Sequence, residues 1–211
     1  MANAEQKRQG DGGRFVGTTW QDLLDLETVE VPEYLRVKSN PYMGDDDLSV
    51  DRYISPAFFN EEKEKLWPKT WQMTCREEDI PESGDHFVYW IIDRSVIVTR
   101  TPSGEIKGFI NSCRHRGRCL RDESGSVDKF RCPFHGATWD LDGQFKGIPN
   151  DWDFEHIVDR DMSLPQVKVA TWGGFVFINF DLDCQPPEEY LDILPEHFDR
   201  FPLEKYFKAV H

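Results

Sequence analysis

The stretch NSCRHRGRCLRDESGSVDKFRCPFHG, residues 111 to 136, constrains this chain more than any other. It holds Cys113 and His115 two apart, then, after a gap of sixteen residues, Cys132 and His135 three apart. Thiolate and imidazole are ligands for borderline and soft metals, so these four side chains form a set of two sulfur and two nitrogen donors. One isolated Cys-x-His would read as a buried thiol beside a surface histidine. Two such arms flanking a polar, turn-rich loop read as a metal site, and the fold must bring the two arms side by side. The donors alternate along the chain, whereas structural zinc usually takes its sulfurs from one element and its histidines from another. Alternation lets each arm give one sulfur to one iron and one nitrogen to the other in a two-iron cluster. Structural zinc in a non-redox binding module remains the second reading.

The residues around the arms predict the scaffold. From residue 86 the pattern becomes short β-rich runs: HFVYWII, SVIVTR and IKGFIN, separated by Asp93-Arg94 and by TPSGE. After the arms come ATWDL, a turn at Asp142-Gly143, QFKGI, and then QVKVATW and FVFINFD joined through Gly173-Gly174. Strands of this length and spacing predict an all-β sandwich or small barrel. Before them, ISPAFFNEEKEKLWPKTW predicts a helix with Ser55 as N-cap, Pro56 at its first position and Pro68 as its stop, with Phe59, Leu66 and Trp67 falling on one face. Residues 1 to about 50 are polar, with Gly10, Gly12 and Gly13 early and Asp45, Asp46 and Asp47 late, which predicts an arm with little core and one short helix around TWQDLLDL. A last helix is expected to start at Pro187, where Glu188 and Glu189 suit a first turn.

A formal charge of −14 argues against nucleic acid or an anionic membrane surface as the main partner. No run of about 18 apolar residues is present, and the N-terminus lacks the apolar core of a secretory signal, so a cytoplasmic protein with reduced thiols is expected. Five cysteines are few and odd in number for a disulfide scaffold.

CRHRG followed by CPFHG resembles the Rieske motif of the ring-hydroxylating (Rieske non-haem iron) oxygenase α subunits, Cys-x-His-Arg-Gly and then Cys-x-x-His-Gly, with every specified position met. The flanking GDHFVYWIIDRSVIVTRTPSGEIKGFIN, DLDGQF and GGFVFINFD are similar as well, and the resemblance spans roughly residues 51 to 185. It implies a mainly β fold: a Rieske-type antiparallel β-sandwich with a small cluster-binding subdomain and short flanking helices. It also implies an N-terminal arm over 1–50, a Rieske 2Fe-2S domain over 51–185, and a linker into a catalytic domain over 186–211. Cys113, His115, Cys132 and His135 would be the ligands of a 2Fe-2S cluster. Two ferric ions, two sulfides and two thiolates sum to zero charge, so the mixed-ligand cluster accepts an electron more easily than one held by four thiolates. The histidines are expected toward the surface, where their free ring nitrogens can exchange protons, with the cysteines deeper. Gly117 and Gly136 would allow backbone to approach the cluster, or serve as turn glycines. Arg114, Arg116, Arg118 and Arg121 form a basic patch suited to dock an acidic electron donor or a neighbouring subunit.

Two departures qualify the resemblance. Most family members carry tryptophan directly after His-Gly, whereas this chain has Ala137, with Trp139 two positions on. High-potential respiratory Rieske proteins use a further disulfide between the arms, but Phe134 stands where its second cysteine would be, so Cys119, with Cys75 and Cys184, is expected to be a core thiol. The resemblance further implies an oxidoreductase that passes electrons from a reductase or ferredoxin, through the cluster, to a mononuclear iron where dioxygen attacks an aromatic or related ring, in a trimer-based oligomer. That iron takes two histidines and a carboxylate. His86, His156, His197 and His211 do not have the spacing such a site needs, so the mononuclear iron is expected in a catalytic domain or subunit outside this chain. A stand-alone Rieske ferredoxin-type carrier is the alternative, against which the extensions outside 51–185 speak.

Overall fold

The computed structural model describes residues 20–36, 47–157 and 160–209. Gly10, Gly12, Gly13, Asp45, Asp46 and His211 lie outside the described residues. The chain divides into two compact units, residues 1–53 and 54–211. In the first, α1 (Trp20–Leu24) realises the helix predicted in TWQDLLDL. Leu24 is buried, Trp20 Nε1 donates to the Leu35 carbonyl at 3.2 Å, and Arg36 pairs with Asp25 at 2.6 Å.

The second unit opens with α2 (Pro56–Lys65), where the Ser55 hydroxyl accepts from the Phe58 N–H at 3.4 Å and Pro56 occupies the first turn, as the capping signals predicted. The helix ends at Lys65, and a 3-10 turn over Trp67–Lys69 takes up the proline. Its predicted apolar face is not buried: Phe59 and Leu66 stay 46% and 44% exposed.

Ten strands follow in two antiparallel sheets. Seven of them, β1 (Gln72–Arg76), β2 (Asp85–Ile91), β3 (Arg94–Arg100), β4 (Ile106–Ile110), β5 (Gly125–Ser126), β9 (Gln166–Trp172) and β10 (Phe175–Asn179), lie in the order β1-β10-β9-β4-β3-β2-β5. The other three, β6 (Phe130–Arg131), β7 (Thr138–Trp139) and β8 (Phe145–Gly147), form a small sheet. Ile91 pairs with Arg94, so the β2–β3 turn is Ile92-Asp93 rather than the predicted Asp93-Arg94, and it holds the β-branched Ile92 at a φ of 54°. Trp172 pairs with Phe175 across Gly173 and Gly174, both at positive φ as a two-residue hairpin turn requires.

β3 separates two cores because successive side chains leave opposite faces of a strand. Val96 and Val98 join Cys75, Ile80, Val167, Val176 and Ile178 in a core on one side of the large sheet, which curls into a half-barrel. Ile97 points the other way and, with Phe109 of β4, packs against Phe130 and Trp139 of the small sheet and Leu141 of the β7–β8 turn. Fully burying each such aromatic or aliphatic side chain contributes about 1.5–3 kcal/mol. This second core fastens the small sheet to the large one, and Cys113 and Cys132 lie in it.

Candidate metal centre

Each arm makes the same knuckle. In the first, which leaves the end of β4, the Cys113 N–H donates to the Arg118 carbonyl at 2.8 Å and the Gly117 N–H to the Cys113 carbonyl at 2.8 Å. In the second, the tip of the β6–β7 hairpin, the Cys132 N–H donates to the Ala137 carbonyl at 2.8 Å and the Gly136 N–H to the Cys132 carbonyl at 3.0 Å. A glycine four residues after each cysteine closes the turn, at a φ of 71° in Gly117 and 77° in Gly136. Of the two roles expected for these glycines, the structure shows the turn: both N–H groups are spent on cysteine carbonyls, and both residues need the left-handed region.

Cys113 and Cys132 are buried, at 4% and 2% exposure, while His115 and His135 are half-buried, with ring centroids 4.8 Å apart. The depth order matches the expectation from ligand chemistry. Burial pushes the Cys113 thiol up, and the Cys132 thiol neighbours it and helps to raise it, while the backbone N–H groups of His115 and Arg116 pull the other way by favouring the thiolate. His115 is held below the ordinary histidine range by burial first, then by the neighbouring His135, Arg116, His156 and Arg160. Its Nδ1 is buried and has no hydrogen-bond partner. A buried imidazole nitrogen without a donor or acceptor is unusual and fits a lone pair reserved for a metal. Two sulfurs side by side, two histidines side by side and an orphaned Nδ1 thus fit a two-metal cluster held by Cys113, Cys132, His115 and His135.

A polar network fixes the first arm. The buried Asn111 accepts from the Leu120 and Arg121 N–H groups through Oδ1, both at 3.0 Å, and donates to the Arg121 carbonyl at 2.6 Å. Arg121 Nε donates to Nε2 of the fully buried His86 at 3.1 Å, and His86 Nδ1 faces the Gly84 carbonyl at 3.4 Å. Burial holds His86 below the ordinary range; the Gly84 carbonyl opposes this and the Arg121 charge adds to it. Arg121 therefore leaves the expected basic patch. Arg118 pairs with Asp122 at 3.2 Å and Arg114 reaches the Asp161 carbonyl at 3.4 Å. Arg116 makes no ion pair among the described residues.

Sequence reasoning missed Phe154. It lies in a 3-10 segment, Asp151–Ile157, with its ring 5.2 Å from His115 at an interplanar angle of 87° and 5.8 Å from His135 at 62°. His156 of the same segment is 5.7 Å from His115. Nothing in WDFEH separates these two from an ordinary exposed turn. Trp139 is fully buried and donates from Nε1 to the Met162 carbonyl at 2.6 Å, so it is a core residue rather than a cover for the histidines. Phe134 is 60% exposed, its ring 3.9 Å from that of His135. All five cysteines are free. Cys75 is a core thiol, its pKa raised to about 11 by burial. Cys119 and Cys184 are only half-buried, so the core-thiol expectation fails for both; Cys119 donates to the Arg121 carbonyl at 3.2 Å. His197 lies in α4 (Leu194–Phe198), which follows α3 (Pro187–Leu191), the helix predicted to start at Pro187.

These twin knuckles define a domain class. Residues 70–158 match the family described as Rieske [2Fe-2S] domain, and the chain contains that domain. Over that span it is similar to the Rieske portions that ring-hydroxylating oxygenase α subunits carry. Among relatives, the α subunit of biphenyl 2,3-dioxygenase from Rhodococcus jostii is 32% identical over 141 residues, 66% of this chain and 31% of that one. Chloroplastic choline monooxygenase from Beta vulgaris is 32% identical over 129 residues, 61% of this chain and 29% of that one. Naphthalene 1,2-dioxygenase from Rhodococcus sp. superimposes with a TM-score of 0.64 at 34% identity, over 69% of this chain and 34% of that one. The apo form of a quaternary ammonium Rieske monooxygenase gives 0.71 at 26% identity, over 76% and 48%. The chain spans about a third of the length of the curated relatives it matches.

Proposed function

We propose that Cys113 and Cys132 hold one iron and His115 and His135 the other iron of a [2Fe-2S] cluster, which passes electrons to a mononuclear non-haem iron in a ring-hydroxylating oxygenase system. The cluster, when bound, supplies a one-electron carrier of raised potential. The observation that carries this reading is the pair of equivalent knuckles, which bury two sulfurs together and leave His115 Nδ1 unpartnered.

The chain's own residues would do three things. Backbone N–H groups of His115 and Arg116 stabilise the Cys113 thiolate. The half-buried histidines offer the route by which electrons enter and leave, because the cysteines are sealed in the core. Arg114 and Arg116, beside His115, would steer an acidic reductase or ferredoxin toward that edge. In this reading residues 1–50 are an arm, 51–185 the Rieske domain and 186–211 a linker, with the mononuclear iron in a catalytic domain or subunit beyond. Relatives named for biphenyl and for choline share the domain. It would accordingly deliver electrons to an oxygenation of an aromatic or related ring whose substrate is selected by the catalytic part.

Anaerobically purified protein is expected to carry about two irons and two acid-labile sulfides per chain, to be coloured, and to give an electron paramagnetic resonance signal on reduction with dithionite. A colourless, zinc-loaded protein without that signal overturns the reading.

A further inference from the structure

We propose that Phe154 is the lid residue of the metal centre: its ring keeps water from the imidazoles of His115 and His135 and thereby sets the reduction potential. The proposal rests on the cluster reading above. Phe154 is placed by a local break in the backbone. The segment Asp151–Ile157 is 3-10 in character, but Phe154 leaves helical geometry at φ −124° and ψ 34°. Its neighbours Asp151, Trp152, Asp153, Glu155 and His156 are exposed, Trp152 by 68%. Phe154 and Ile157 are the residues of this segment that turn inward, Ile157 in the core and Phe154 packed against it. The ring is anchored from behind, since it packs against the core that contains Cys113, Cys132, Ile97 and Phe130.

The ring meets His115 edge-to-face and also reaches His135, so one side chain bridges the ligand histidines of both arms. Phenylalanine cannot ligate metal, and it cannot donate to or accept from an imidazole. What it can do is occupy volume that water would otherwise fill, and hold the two rings in fixed relation. Exclusion of water has a definite sign. The oxidised set of two ferric ions, two sulfides and two thiolates is neutral, and one added electron makes it −1. Water stabilises the charged form, so a dry edge disfavours reduction and a wet edge favours it. Removing the ring is therefore expected to raise the potential.

The test is an anaerobic spectroelectrochemical titration of the loaded 211-residue chain and its variants, with pulsed paramagnetic resonance in deuterium oxide to count exchangeable deuterons near the histidine nitrogens. Phe154→Ala is expected to raise the reduced-to-oxidised ratio at a fixed electrode potential about threefold to tenfold, tenfold being about 59 mV for a one-electron couple, with stronger deuterium coupling. Phe154→Leu, which keeps most of the apolar bulk, should move in the same direction by less. Trp152→Ala, on the solvent side of the same turn, should leave both readouts unchanged. An unchanged potential and coupling in a fully loaded Phe154→Ala overturns the proposal. If that variant fails to retain cluster, Phe154→Leu decides, and wild-type values in it overturn the proposal equally. A shift in Trp152→Ala as large as that of Phe154→Ala also overturns it, since the turn and not the ring would then be the determinant. Wild-type protein that binds no iron would instead refute the cluster reading beneath it.

Discussion

The two arms close the same turn around their cysteines, but different physics holds them. The second arm is a hairpin tip whose strands, β6 and β7, carry Phe130 and Trp139 into the core, so it stands on apolar packing. The first arm has no strand of its own between β4 and β5; it puts only Leu120 beside its cysteine into that core and is otherwise held by polar contacts, Asn111 to the backbone of Leu120 and Arg121, and His86 to the Arg121 side chain. A four-ligand centre needs both arms at once, so it can be lost through cavities on one side and through broken hydrogen bonds on the other.

The largest effect is expected where the arms do not differ. Cys113→Ser or Cys132→Ser removes a thiolate that oxygen replaces poorly for iron, and either variant should lose the cluster completely, as read by iron content and visible absorption. A Cys113→Ser protein with full cluster content would break the equivalence of the two knuckles. The contrast appears at the supports. Trp139→Ala leaves a large cavity and an unpaired Met162 carbonyl under the second arm, and should cost about 3–5 kcal/mol of unfolding free energy in denaturant titration. Asn111→Ala removes three hydrogen bonds under the first arm and strands the buried Leu120 N–H, which should cost about 2–3 kcal/mol. Its signature should be local: amide exchange is expected to speed up first at Leu120 and Arg121 and only later in β7.

Smaller again is the cost of a methyl at the closing glycines. Both need positive φ, which costs roughly 1–2 kcal/mol for an L side chain. At Gly136 a Cβ would also stand 3.0 Å from Pro149 Cγ, 3.1 Å from its Cδ and 3.2 Å from the Arg131 guanidinium, whereas at Gly117 the nearest atom is Ser112 Oγ at 3.8 Å. Gly136→Ala should therefore lower the melting temperature more than Gly117→Ala. The reverse order would mean that the packed arm yields more easily than the hydrogen-bonded one.

The same asymmetry explains what the sequence made legible. β2, β3, β4, β9 and β10 were readable because five to seven β-branched or aromatic-rich residues lie between turn residues, and α2 because Ser55 and Pro56 announce its start. β5 and β6 have two residues each, too few for any periodicity, and QMTCR of β1 lacks the alternation that marks a strand, whereas the equally short β7 was reached through ATWDL. The four ligand candidates were readable because metal chemistry ties residue type to spacing. Asn111, His86 and Phe154 were not, because each acts on a residue that only the tertiary fold brings near: His86 meets Arg121 thirty-five positions away, and Phe154 meets His115 only where its segment breaks helical geometry. Arg121 looked like part of a charged surface for the same reason, its partner being buried and distant in sequence.

The smallest effect is a pH dependence confined to the first arm. His86 is fully buried, and with Arg121 donating to Nε2 its neutral form keeps the proton on Nδ1, toward the Gly84 carbonyl. Burial holds its pKa in the fold below the ordinary value of 6.5. Above that value both folded and unfolded chains carry neutral His86, and its contribution to stability is fully present. As pH falls below 6.5 the unfolded chain binds the proton first, so stability declines until pH passes the lowered folded value, then levels off. Protonation in the fold would also set an imidazolium against the Arg121 guanidinium, and the first arm would lose that support while the second, resting on Phe130 and Trp139, would not. His86→Gln keeps an acceptor for Arg121 and does not titrate. Between pH 7 and about 5.5, wild-type Leu120 and Arg121 amides should lose protection relative to the same amides in His86→Gln, with the Trp139 amide matched in both. Equal loss at all three positions, or none, would mean that the arms share one support.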